Sequence, residues 1–585
     1  MKSSQVNVDE IMDCLGVSRF FHITQYLLLS SSLMVPVFNS YLFIFTALSP
    51  EHRCQNLTDF QLDQYNISIS NVRLIYRNCS IEIISSDGRI PAKNESLACL
   101  NGYHYMKPVH MSLTSQWDLV CNRKGLAETS QTIYIFGQLF GGLASPYFID
   151  RFGRKPPRIL SNFLLVIINL ICAFSPSYAV FASMRFFAGI FREAYLITTF
   201  AAIPELYSKK KRVLMSGLST VLWSVWSTLG GAAAYLLKDY CWNVIYLFNA
   251  TISGCFIIEV FFLAESIRWL FANSKVKQAK KVIKMAAKQN NVDFEHIWSI
   301  ALKNNPVQEA ANQRDGNNPD NRHRDLQVQA DDAAVNHTED HVKKDIATTD
   351  TSEQPSEKEM SKFIQVKAIF KTPYLRKITI AISICWMIDI TSFTSLYFMV
   401  EALGGSVYFN FTMLAVAELV SSIFYSLGVN RFGHKISLIF SKTFTAILTF
   451  SAGLLMLLAE NNKTTEKIFV TLYLVSMLGL SAAFSGIYIY TPELYPTQIR
   501  SIAFGIPITL SRTTCSVAPF FKLLTLYIPW ASGFTMGSAC LISAVLVWLF
   551  LPETKNKVLM QTVEDVQKMK AEEKTMKLFR TKRNT

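Results

Sequence analysis

The chain alternates between long apolar stretches and short polar connections. Twelve stretches are long enough to cross hydrocarbon as helices, near residues 21–48, 128–149, 158–175, 178–203, 213–237, 242–264, 376–400, 408–428, 436–458, 467–490, 501–528 and 532–551. Their number and their sparsely charged interiors predict an all-α membrane protein. Two longer polar intervals divide the series, residues 49–127 after the first stretch and residues 265–375 between the sixth and seventh. The expected organisation is an N-terminal segment 1–20, a first six-helix bundle 21–264 that includes the loop 49–127, a linker 265–375, a second six-helix bundle 376–551 and a basic tail 552–585. Residues 275–302 of the linker have the pattern of an amphipathic helix. From about 304 to 362 the composition is polar and poor in aromatics, so disorder is expected there.

The two bundles repeat one another at their ends. Pro204-Glu205-Leu206-Tyr207 recurs as Pro492-Glu493-Leu494-Tyr495, 288 residues on, and each copy has an arginine, Arg212 or Arg500, eight residues after its proline. Asp150-Arg151-Phe152-Gly153-Arg154-Lys155 recurs at an offset of 280 as Asn430-Arg431-Phe432-Gly433-His434-Lys435. Glu265 and Glu553, again 288 apart, each end an apolar run. Three landmarks in one order at nearly one offset indicate an internal duplication. In a membrane protein, such a duplication predicts two halves that rock about a shared centre.

Charge placement sets the expected topology. The formal net charge is +14. The basic residues follow the second stretch (Arg151, Arg154, Lys155, Arg158), follow the fourth (Lys209 to Arg212) and fill the tail. If the stretches alternate, these segments share one side, which the positive-inside rule makes cytosolic along with both termini. This explains the charge without a nucleic-acid partner. The loop 49–127 then lies outside. It carries Cys54, Cys79, Cys99 and Cys121, with sequons at Asn56, Asn66, Asn78 and Asn94, as befits an oxidised, glycosylated segment. Four cysteines allow three pairings. The first stretch is too long for a cleavable signal peptide, and no small-residue cleavage site follows it.

Taken with these features, Gln116-Trp117-Asp118-Leu119-Val120-Cys121, Glu265-Ser266-Ile267-Arg268-Trp269-Leu270 and Glu493-Leu494-Tyr495-Pro496-Thr497 make the chain resemble the organic cation, anion and carnitine transporter family of the major facilitator superfamily. The resemblance covers nearly everything except the polar linker and the tail. It implies twelve helices in two pseudo-repeated bundles around a central cavity, and alternating access to a small organic ion. It also implies a cytosolic gate built from Asp150, Arg151, Arg154, Glu205, Arg212, Arg431, Glu493 and Arg500, with Asp150 pairing with nearby arginines and Glu205 pairing with Arg212. Fixing topology is the alternative role of these charges. Asn430, in place of an acid, and Pro146, where the family usually has Gly, depart from its pattern.

An ionisable residue inside hydrocarbon usually faces a cavity or a partner. Arg192 and Glu193 in the fourth stretch, Asp389 in the seventh, Glu418 in the eighth and Arg512 in the eleventh are such residues. By resemblance, Arg192 and Tyr195 each fall within one residue of a substrate-binding lysine and aromatic of cation transporters. Trp386, Asp389 and Phe393 match a Trp, acid and aromatic pattern, and their i, i+3, i+7 spacing puts them on one helix face. Glu418 matches the glutamate of cation-handling members. An aromatic face holds a quaternary ammonium by cation–π attraction, roughly 0.5–2 kcal/mol per contact. Arg512 stands where anion and carnitine transporters carry arginine, while Met477 stands where many members carry a basic residue. Core packing is the alternative for the three aromatics, structural pairing with neighbouring helices for Arg192 and Glu193, and a helix–helix salt bridge for Arg512. No phosphate-cradling loop, metal-ligand cluster or nucleophilic triad occurs, so neither enzyme activity, nor a cofactor, nor a metal is expected.

The reading these residues support is a polyspecific secondary transporter of organic cations or zwitterions in the plasma membrane, its partners being the small ion and the bilayer. An organic anion exchanger is the alternative, and a non-transporting receptor-like member a further one. Sodium or proton coupling and oligomeric state leave no signature here.

Overall fold

The computed structural model describes residues 8–16, 19–64, 72–85, 96–303, 367, 369–460, 462–496 and 499–555. The stretch expected to be disordered, most of the tail, and the sequons at Asn66 and Asn94 lie outside the described residues. The twelve apolar stretches become twelve helical spans, several of them broken. Span 1 runs through Phe20–Ser31, Met34–Tyr41 and Phe43–Thr46; Pro36 has no N–H to give Ser32, which separates the first two pieces. Spans 2 to 5 are Leu126–Phe152, Lys155–Ala173, Tyr178–Glu205 and Lys209–Leu236. Span 6 joins Trp242–Ser253 to Phe256–Phe262. Spans 7 to 10 are Pro373–Phe398, Val407–Phe432, His434–Leu458 and Lys463–Glu493. Span 11 joins Arg500–Cys515 to Phe521–Tyr527 across Pro519, and span 12 is Pro529–Phe550.

Within the first half, span 2 lies directly against span 4. A Cβ on Gly137 would sit 2.0 Å from the Phe186 carbonyl oxygen, and one on Gly189 2.0 Å from that of Tyr134. Small residues are what let backbones come this close in lipid, where no hydrophobic drive joins helices. The halves meet along two seams, span 5 with span 8 and span 2 with span 11.

One end of the molecule carries the loop after span 1. There β1 (His52–Cys54) pairs antiparallel with β5 (Tyr103–Tyr105), and β2 (Val72–Tyr76), β3 (Ile81–Ser85) and β4 (Ser96–Leu97) form a second small sheet. Of the three possible pairings, the structure has Cys54–Cys99 and Cys79–Cys121. Asn56 and Asn78 are exposed. The other end carries the repeated motifs. Below it the amphipathic region forms two helices, Val276–Asn290 and Phe294–Lys303, rather than one. The chain turns at Asn291, whose φ of 50° is left-handed, and the pair packs on Val8–Leu15 through Ile11, Leu15, Ile283 and Trp298.

Candidate functional site

At the motif end the duplication has a physical cause. Gly153 and Gly433 each turn with positive φ, 101° and 87°, a conformation that costs other L-residues a Cβ clash. The turn presents the first amides of the next span to a carboxylate. Glu265 accepts from the backbone N–H of Arg154 at 2.8 Å and of Lys155 at 3.1 Å. Glu553 accepts from those of His434 and Lys435, both at 3.1 Å. Lys155 and Lys435 donate to the carbonyls of Val260 and Trp548, each at 2.8 Å. Glutamates at the ends of spans 6 and 12 therefore cap the N-termini of spans 3 and 9, where four amides lack helical partners.

Among the described residues, the ion pairs of Arg154, Arg212 and His434 lie within their own half. Glu205 holds Arg154 (Oε1–Nη2 2.7 Å), not Arg212 as the sequence led us to expect; Arg212 reaches Asp9 at 3.9 Å. Asp150 lies 3.8 Å from Arg154. Arg151 donates to the Tyr147 hydroxyl at 3.0 Å. In the second half, His434 stands 3.6 Å from Glu493, Arg500 donates to the Tyr495 carbonyl at 3.4 Å, and the carbonyl of Arg431 accepts from Lys555 at 2.8 Å.

At the disulfide-bonded end the halves are fastened together. Lys522 of span 11 is buried between Glu128 of span 2 at 3.0 Å and Glu401, just after span 7, at 2.7 Å. Glu401 also accepts from the Ser49 N–H at 2.8 Å, and Thr132 donates to the Ser516 carbonyl at 2.8 Å. Beside them Phe45 stacks on Tyr408, with ring centroids 5.2 Å apart.

Between these ends, charges from both halves converge at mid-depth. Glu193 takes Arg192 on one oxygen at 2.7 Å and Arg512, across the seam, on the other at 2.9 Å. Arg512 also donates to Gln138 at 3.2 Å. Glu418 accepts from the Tyr397 hydroxyl at 2.5 Å, and both Glu418 and Arg192 lie within electrostatic reach of Tyr41. Aromatic rings continue from there. Tyr41 lies 4.5 Å from Tyr397, Tyr397 5.4 Å from Phe393, and Phe393 stacks on Phe484 at 4.6 Å. Phe484 contacts Tyr488, which meets Trp386 at 4.5 Å.

Arg192, Phe393, Glu418 and Arg512 thus share this centre, with Trp386 at the far end of the aromatic line. Two expected members stand elsewhere. Tyr195 accepts from Arg158 and donates to Glu259, both at 2.7 Å, inside a buried network of the first half. Asp389 is held by Lys442 of span 9, and both side chains are 1% exposed. Arg158 pairs with Glu259 at 2.8 Å, and Lys442 with Asp389, each inside one bundle.

Sequence reasoning missed Tyr397, although it follows Phe393 by four residues and so extends the same helix face. It also missed Tyr41, Phe484 and Tyr488, whose contacts join distant spans and leave no local pattern.

Residues 123–519 match the model of the Major Facilitator Superfamily. Solute carrier family 22 member 6-A of Xenopus laevis is 26% identical over 96% of this chain and 94% of its own. Organic cation/carnitine transporter 2 of Rattus norvegicus is 24% identical over 96% and 94%. Among solved structures, the partially occluded inward open conformation of the xylose transporter XylE from E. coli aligns with a TM-score of 0.55 at 13% identity, covering 92% of this chain and 99% of that one. That last likeness concerns the fold alone.

Proposed function

The chain belongs to the Major Facilitator Superfamily, within its organic cation, anion and carnitine transporter family, and from that premise we propose that it moves organic cations and carnitine-like zwitterions by alternating access. The observation that carries this reading is the mid-depth arrangement of a carboxylate, Glu418, beside a line of aromatic rings, and a guanidinium, Arg512, on the seam between the halves. The first pair of features suits an alkylammonium and the second suits a carboxylate. Glu193 already pairs with Arg512, so a simple organic anion has to displace that bond to use the guanidinium.

The disulfide-bonded loop faces outside in this reading, at the plasma membrane, and both termini are cytosolic; basic residues at the motif end support that orientation. Fastening at the disulfide-bonded end, where Lys522 joins Glu128 across the halves, corresponds to a state closed to the outside. Movement of a cation needs no further energy source than the membrane potential, about 2.3 kcal/mol per charge per 100 mV.

Uptake of labelled tetraethylammonium, carnitine and hippurate into cells displaying the chain tests the reading. We expect saturable uptake of the first two, with hippurate far slower. Saturable uptake of hippurate alone, or of none of the three despite surface display, would overturn it.

A further inference from the structure

We propose that Glu193 is an internal stand-in for a substrate carboxylate: it occupies Arg512 in the empty protein and surrenders that guanidinium to an incoming organic carboxylate. The proposal rests on the transport reading above and names the residue that sets its specificity.

Three features of the geometry carry it. First, Glu193 meets Arg512 at one point only, Oε1 to Nη2 at 2.9 Å. The guanidinium Nη1 goes to Gln138 at 3.2 Å, and its Nε, although buried, has no partner among the described residues. An arginine offers a planar fork in which Nε and Nη2 together bind a carboxylate side-on. Glu193 uses half of that edge, so a free carboxylate can make one more charge-assisted bond than the internal one makes.

Second, Glu193 has somewhere to go. Its other oxygen is held by Arg192 at 2.7 Å. Removing one partner of a buried pair normally leaves an uncompensated charge, a strongly destabilising event. Here the loss of Arg512 leaves Glu193 paired within its own span, and Arg192 remains anchored to the Pro36 carbonyl at 3.2 Å. The exchange of one carboxylate for another therefore strands no charge.

Third, the bond crosses the seam. Arg512 belongs to the second half and Glu193 to the first, and the side chain of Arg512 is 13% exposed against 4% for Glu193. The guanidinium is the more reachable partner. A ligand carboxylate that replaces Glu193 removes a direct link between the halves and supplies its own.

The consequence is a selectivity filter. A carboxylate must compete with Glu193, whereas a cation lodged at Glu418 and the aromatic line need not. If Arg512 is free of Glu193 about a tenth of the time, a carboxylate loses about tenfold in apparent affinity, because apparent affinity scales with the fraction of competent sites. A zwitterion recovers that loss through its ammonium end. A plain anion does not.

The test is the ratio of KM values for hippurate and tetraethylammonium. In E193Q, which keeps the volume and removes the competing charge, the KM for hippurate should fall about tenfold relative to wild type while that for tetraethylammonium does not fall. E193D keeps the charge but withdraws it by one methylene, and should move the ratio the same way by a smaller factor; it serves if E193Q fails to reach the surface. Thermal-shift titration of the purified full chain with hippurate reads the same affinity change without transport. A ratio unchanged in uptake and in titration, for whichever variants fold, would make Glu193 a structural bridge and overturn the proposal. A wild-type chain that moves no probe counts against the transport reading instead, and the hippurate titration still decides the role of Glu193.

Discussion

At the scale of single residues, the centre is organised by which carboxylates are already spoken for. Asp389 has Lys442, Glu259 has Arg158, and Glu193 has two arginines. Among the described residues Glu418 has only hydroxyl partners, Tyr397 at 2.5 Å among them, which leaves its charge for a ligand. Glu418→Gln should therefore lower kcat/KM for tetraethylammonium at least tenfold, about 1.4 kcal/mol, with surface display unchanged; an unaltered kcat/KM refutes the assignment. Arg512→Asp should harm carnitine more than tetraethylammonium, since only carnitine brings a carboxylate, and equal losses would mark a structural salt bridge. The rule that ionisable residues inside hydrocarbon face a cavity or a partner found Glu418 and Arg512 from sequence, but it cannot choose between those outcomes. For Asp389 the choice depended on Lys442, which lies 53 residues away and on another helix. The same rule also applies to Arg158, Glu259, Lys442 and Lys522. Each of them proves to be paired.

At the scale of elements, the duplicated motifs were fully legible as a pattern and only partly as a mechanism. Sequence offers Glu265 and Glu553 as landmarks at a fixed offset; it cannot show that each reaches back across a bundle to cap a helix more than 100 residues earlier in the chain. The expected Glu205–Arg212 pair failed for a similar reason. Arg154, delivered by the Gly153 turn, presents two donors to Glu205 at 3.0 and 2.7 Å, and a forked contact of that kind outcompetes a single one. Since each glutamate satisfies two otherwise orphaned amides, Glu265→Ala should destabilise the first half by roughly 1–3 kcal/mol for each amide left unpaired. Glu553→Ala should do the same in the second half. Thermal unfolding of the purified chain checks both: a fall of several degrees for each is expected, and an unshifted midpoint for Glu265→Ala would show that the cap contributes nothing. Broken spans were the least legible elements. Apolar runs fix where a helix crosses but are silent on the interruptions near Ser32, Gly254 and Ser516, two of which lie close to a proline.

At the scale of the whole molecule, the halves are alike at their motif ends and unlike where they meet. The caps are repeated, whereas Lys522 between Glu128 and Glu401 has no counterpart in the duplication. That asymmetry has a mechanical meaning. Glu401 and Lys522 belong to the same half and can stay paired through a rocking motion, while the Glu128–Lys522 contact at 3.0 Å joins opposite halves and exists only when this end is shut. Replacing Lys522 with Met removes the attraction and leaves two buried carboxylates facing one another, so the closed state is penalised more than the open one, where the carboxylates separate. A differential of about 1–3 kcal/mol shifts a two-state equilibrium roughly 5–150-fold. A cysteine placed at Ala47, buried at 4% exposure beneath the fastening, reports the shift. Labelling by a membrane-impermeant maleimide should be at least fivefold faster in Lys522→Met than with Lys522 intact, and Lys522→Arg should bring it back toward the slower rate. Equal rates in all three backgrounds would mean that the aromatic contacts around Tyr408, rather than the buried lysine, keep this end closed.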